Sequence, residues 1–93
     1  MPMRFTWDEV KRRRNLSAHG FDFKDAQQVF SGPTHTFEDE RFRYYEQRFV
    51  TLGLLEGVPV AIVHTETEQV IHVISFRKAT RGEEAILFAE NLH

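Results

Sequence analysis

Histidine and arginine are the residues of this 93-residue chain best suited to chemistry. Imidazole titrates near neutral pH and so serves as a general acid or base. Two of the five histidines, His19 and His64, are the acid–base candidates. His19 ends a helical segment, where an imidazole also satisfies backbone carbonyls, so a capping role competes with a catalytic one. His64 falls in an apolar run and reads equally as an ordinary strand residue. His35, His72 and His93 have no metal-ligand spacing, and no metal site or cofactor is expected. The chain has no Cys, which excludes a thiol nucleophile, a disulfide framework and a thiolate metal centre.

Nine of the twelve basic side chains are Arg, whose planar fork matches phosphate and carboxylate. They are clustered. Lys11, Arg12, Arg13 and Arg14 form one run, and Arg77, Lys78 and Arg81 a second. Acidic groups gather elsewhere, at Glu38, Asp39 and Glu40 and at Glu66 and Glu68. The net charge of −2 differs from the basic balance of many nucleic-acid binders, and on charge alone the runs read as solvated surface. Lys11 and Arg12 suit a nucleic-acid backbone, the acidic tail of a partner, or only water. Trp7 offers a ring for stacking on a base, although a ring at a strand–helix junction more commonly joins the core.

The elements that must position these groups follow from periodicity. Arg4–Trp7 reads as a first strand. Thr6 and Glu9 have capping-box spacing, so a helix is expected from near Trp7 through Ala18, closed by Gly20. Asp22 is the next N-cap, and Phe23, Ala26, Val29 and Phe30 give one apolar stripe. Ser31-Gly32-Pro33 ends this helical hairpin. The period then changes. Residues 34–38 suggest an edge strand, and residues 39–45 have no clear assignment. Residues 47–55, 58–65 and 70–79 are three strands joined by turns at Glu56-Gly57 and residues 66–69. Residues 81–91 form a last helix, with Ala85, Leu87, Phe88 and Leu92 apolar. The order β-α-α-β-β-β-β-α is an α+β fold, with helices on one face of a mostly antiparallel sheet and a C-terminal helix. One domain spans residues 1–93.

If Leu55 pairs with Val58 and Thr65 with Val70, one sheet face carries Thr51, Gly53, His64, Ser75 and Arg77. The other carries Val50, Leu52, Leu54, Ala61, Val63, Ile74 and Phe76 and is the one expected to meet the helices. Ser75 and Arg77 would then project from an open face, with Arg48 on the opposite one. A slip of one residue reverses this arrangement.

The ordered set Trp7-Asp8, Lys11, Asn15, His19-Gly20, Phe23, Ala26, Phe30, Glu46, Arg48, Gly53, Ile74-Ser75, Arg77-Lys78-Ala79 and Glu83 resembles the BrnT toxins over nearly the whole chain. That resemblance implies a RelE-like fold and a ribonuclease that blocks translation. It also implies a BrnA-type antitoxin with a ribbon-helix-helix DNA-binding domain, and repression of the shared operon by the complex. Operator DNA would be reached only through the antitoxin. By the same resemblance Arg48, Ser75 and Arg77 are the catalytic candidates, and Lys78 joins Trp7, Lys11 and Arg12 as a candidate for binding RNA or partner.

RNA supplies its own nucleophile, the 2′-OH, so an enzyme has to align it, neutralise developing charge and manage two protons. Arg77 and Arg48 suit the non-bridging oxygens, and Ser75 a hydrogen bond to phosphate. Neither Arg can act as a base, because guanidinium stays protonated. Structural readings compete here too. Ser75 is also a small residue that spares space in a sheet, and Arg77 also suits an ion pair with Glu83. No apolar run is long enough to cross a bilayer and no signal-peptide core is evident, so a cytoplasmic location without membrane attachment is expected. The rival reading is a binding module or co-repressor without catalysis.

Overall fold

The computed structural model of the chain describes residues 3–40 and 46–91. Residues 41–45, within the segment without a sequence assignment, lie outside the described residues, as do Leu92 and His93. The elements are β1 (Arg4–Trp7), α1 (Glu9–His19), a 3-10 turn (Phe23–Asp25), α2 (Ala26–Phe30), β2 (His35–Glu38), β3 (Phe49–Leu55), β4 (Val58–Glu66), β5 (Val70–Lys78) and α3 (Arg81–Asn91). The five strands form one sheet in the order β1-β5-β4-β3-β2. Only β1–β5 is parallel; the other three pairings are antiparallel. The expected α+β class and C-terminal helix are thus present.

Local chemistry explains most boundaries. The carboxylate of Asp8, not Thr6, caps α1 by accepting from the Lys11 amide at 3.1 Å. Thr6 instead stays in β1, where its hydroxyl meets His72 Nδ1 at 2.8 Å. Gly20 closes α1 at φ 79°, a conformation that costs glycine little. Asp22 caps the 3-10 turn through the Lys24 amide at 3.0 Å. Glu56 and Gly57 both have positive φ, 50° and 82°, as a two-residue hairpin turn requires, and Leu55 pairs with Val58.

Both faces of the sheet are covered. Phe23, Ala26 and Val29 of the helical hairpin are fully buried against Val60, Ile62, Val73 and Phe76. On the opposite face Leu87 of α3 packs with Val50, Leu52, Ala61 and Val63. The face expected to stay open, that of Thr51, Gly53 and His64, is thus the one the helical hairpin covers, and α3 covers the face of Val50 and Leu52 that was expected to meet the hairpin.

The pairing of β4 with β5 also differs from expectation. Thr65 pairs with His72 rather than Val70, because the turn is shorter. Between Val63 and His64 the register shifts once more: His64 faces Val73, Val63 faces Ser75, and Ile74 is the extra residue of a bulge. A shift of two keeps each side chain on its face, and the bulge adds the single step that reverses it.

Candidate functional site

The bulge decides which side chains meet. Directly paired residues project to the same face. Ser75, Val63 and Val50 therefore lie in one row, and Arg77, Ala61 and Leu52 in the next. Arg48 precedes Val50 by two residues, and the Asp39 amide continues the β2–β3 ladder to its carbonyl at 2.8 Å. Alternation brings Arg48 to the face of Ser75 and Arg77. The expected opposition of Arg48 to the other two is thus corrected: Ser75 and Arg77 change face, while His64 stays with Thr51 as expected.

Arg77 is held by α3. Its two terminal nitrogens donate to the two oxygens of Glu83 at 2.7 and 3.0 Å. Glu83 completes a reciprocal cap: its Oε1 accepts from the Thr80 amide at 2.9 Å, and the Thr80 hydroxyl accepts from the Glu83 amide at 3.2 Å. The Arg77 guanidinium, followed by these amide contacts, holds the Glu83 carboxyl below the usual carboxylate range. The fork is consequently fixed in orientation at the start of α3. The Thr80-x-x-Glu83 spacing was a readable capping signal. Arg48 is half-buried and lies 3.5 Å from Glu46.

The histidine candidates occupy contrasting places. His64 has no exposed surface. Its Nε2 meets the Thr51 hydroxyl at 2.7 Å, which meets that of Thr36 at 2.7 Å. Phe30 and Phe49 flank the ring. Burial pushes its pKa down to about 4, so the ring is neutral at pH 7. Glu66, 3.8 Å from Nδ1, is the nearby carboxylate. His19 is the last residue of α1 and is exposed.

The basic run on α1 is divided by its contacts. Arg12 is bound on two sides, by Asp22 at 2.9 and 3.1 Å and by Glu9 at 3.1 Å. It keeps the Asp22 carboxyl below its ordinary range. Arg13 approaches Glu9 at 3.7 Å. Lys11, Arg14 and Lys78 are exposed. Trp7 is half-buried with the core, and its indole N–H donates to Glu9 at 3.0 Å. That bond, with Arg12, lowers the Glu9 pKa.

Asn15 was not marked as a functional or structural centre by sequence. It is the one buried residue of α1. Its amide donates to the Phe76 carbonyl at 2.7 Å and to the Phe21 carbonyl at 3.0 Å, and its oxygen accepts from the Phe76 amide at 3.0 Å. Beyond the end of β1, the edge of β5 is thus closed by a side chain that pairs as a strand would. An Asn in a helix interior, where its propensity is poor, was the available signal.

Among the described residues no group of three or more His, Asp or Glu is arranged to hold a metal ion. No described helix is long and apolar enough to cross a membrane.

Residues 7–83 match the family model described as the ribonuclease toxin, BrnT, of type II toxin–antitoxin systems. The solved structure of the Brucella abortus ribonuclease toxin BrnT is similar, with a TM-score of 0.67 and 28% identity. The match covers 85% of this chain and 99% of that one. No curated protein sequence matches the chain.

Proposed function

The chain belongs to the BrnT family of ribonuclease toxins of type II toxin–antitoxin systems, and on that premise we propose that it cleaves RNA without a metal ion at a site built on Arg77, Ser75 and Arg48. The observation that carries this reading is the β5 bulge, which gathers those three residues on one sheet face, with the Arg77 fork oriented by Glu83. A guanidinium in fixed orientation suits a phosphate whose charge grows during reaction, with little reorganisation. The 2′-oxygen bonds to the neighbouring phosphorus as the bond from phosphorus to the 5′-oxygen breaks. The products are a 2′,3′-cyclic phosphate and a 5′-hydroxyl. One proton leaves the 2′-OH and one joins the departing oxygen. Exposed His19 fits such proton traffic better than buried, neutral His64.

The remaining roles belong to the same proposal. The chain acts in the cytoplasm and inhibits translation. A BrnA-type antitoxin with a ribbon-helix-helix domain neutralises it, and the complex represses its own operon. Trp7 and Lys78 are further candidates for contact with RNA or partner, whereas Arg12 is already engaged by Asp22 and Glu9. A co-repressor without catalysis is the second reading. It is favoured by the carboxylate already seated on Arg77.

The test is expression of the free chain, with and without a BrnA-type partner, followed by incubation of purified protein with total cellular RNA and EDTA. Growth arrest relieved by the partner, and cleavage that persists in EDTA, are expected. Folded protein that leaves RNA intact, with or without ribosomes, supports the co-repressor instead.

A further inference from the structure

Helix α1 is attached in an unusual way. It buries no apolar side chain, and Val10 and Leu16 are exposed. It is held by the Asn15 amide on the edge of β5 and by the Arg12 clamp on Asp22. Neither attachment uses the remaining cations. Among the described residues no carboxylate pairs with Lys11 or Arg14, although the chain carries more acidic than basic groups.

Lys11, Arg14 and His19 instead border one depression of about 240 Å³, with Asn15, Ala18 and Ile74 as its other lining. Ile74 is the bulged residue directly before Ser75. At the α-helical rise, Lys11 and His19 are about 12 Å apart along the axis, the reach of a few nucleotides. Far along the sheet, Glu38, Glu66 and Glu68 line a cleft of about 550 Å³. Like charge there disfavours a polyanion, so the local field favours α1.

We infer that Lys11, Arg14 and His19 form a phosphate track for single-stranded RNA, leading along α1 to Ser75 and Arg77. The inference deepens the ribonuclease reading and rests on it. Two spaced cations and an imidazole beside a small, partly apolar floor fit a sugar–phosphate strand. An acidic protein segment is the competing occupant.

The test is fluorescence anisotropy of a labelled 2′-O-methyl oligoribonucleotide, which has no 2′-OH and cannot be cut, on the full-length protein across a salt series. Each phosphate neutralised on a single strand contributes about 0.7 to the slope of log affinity against log salt. Lys11→Ala/Arg14→Ala is expected to reduce the magnitude of the slope by about 1.4, a loss of roughly 25-fold at 0.1 M salt relative to 1 M. Arg13→Ala, the neighbouring cation outside the depression, is expected to change it little. An unchanged slope in the double variant, while the parent binds and cleaves RNA, overturns the track and leaves the ribonuclease reading standing. A parent that neither binds nor cleaves RNA overturns both. Normal RNA binding by the double variant with loss of the antitoxin assigns the depression to protein docking and overturns the track as well.

Discussion

At the α1–β5 margin, Lys11, Arg14 and His19 reach solvent, and Arg77 lies on the sheet face beside α3. In the β3–β4 interior, His64 and Thr51 have 0% exposure and are joined from Nε2 to the hydroxyl, while His64 Nδ1 has no hydrogen-bond partner among the described residues. Both regions contain residue types suited to acid–base or phosphate chemistry. They differ in what holds each polar group and in whether water can reach it. The margin uses polar contacts as attachments and leaves cations outside. The interior uses polar groups as packing, sealed by Phe30 and Phe49. Residue type alone thus ranks His19 and His64 together, and burial separates them.

Asn15→Leu should break the margin with the largest effect. The Phe76 amide and carbonyl would both lose their partner. At about 1–3 kcal/mol for each buried unsatisfied group, the cost is about 2–6 kcal/mol. Urea unfolding measures it. A loss under about 1 kcal/mol would show that water replaces Asn15 and that the edge is not closed by it.

Acid should break the interior next. His64 has a folded pKa of about 4 against an ordinary 6.5, so between those values the unfolded chain binds the extra proton. The stability contributed by the neutral ring is fully present above pH 6.5 and is lost as pH falls to about 4. The difference is on the order of 3 kcal/mol, reduced by any attraction of the protonated ring to Glu66. Unfolding free energies of the parent and His64→Gln from pH 7 to pH 4 test this. Parallel profiles would mean that His64 titrates normally.

Gly53→Ala sharpens the same region with a smaller change. An added Cβ would stand 2.6 Å from Val29 Cγ1 and 3.3 Å from Thr34 Cγ2. Overpacking of this kind costs about 1–3 kcal/mol. An unchanged urea midpoint would show that α2 moves away from β3 easily.

Much of this architecture was legible in the sequence, and for identifiable reasons. The Phe23, Ala26, Val29 stripe, the Gly20 stop and the Glu56-Gly57 hairpin depend on local periodicity and turn chemistry. The Arg77–Glu83 pair was readable as an alternative. The β4–β5 register was not, because Ile74 resembles any strand residue and nothing local marks it as the bulge. That single residue reverses the faces of Ser75 and Arg77 relative to His64. The covering of the second face by α3 was equally illegible, since an amphipathic helix does not state which face it meets. Arg12 shows the same limit: its run looked uniformly basic, and only the fold brings Asp22 to it.

The most direct test of the catalytic assignment is the single-turnover rate of RNA cleavage by purified Arg77→Ala beside His64→Gln, each checked for folding by circular dichroism. Loss of the oriented guanidinium should remove about 2.7–4 kcal/mol of transition-state stabilisation, a fall of roughly 10²–10³ in rate. His64→Gln, altered only in the sealed interior, should remain within a few-fold of the parent. A folded Arg77→Ala protein that cleaves at the parent's rate, with His64→Gln inactive though folded, would contradict the assignment and place the chemistry in the interior.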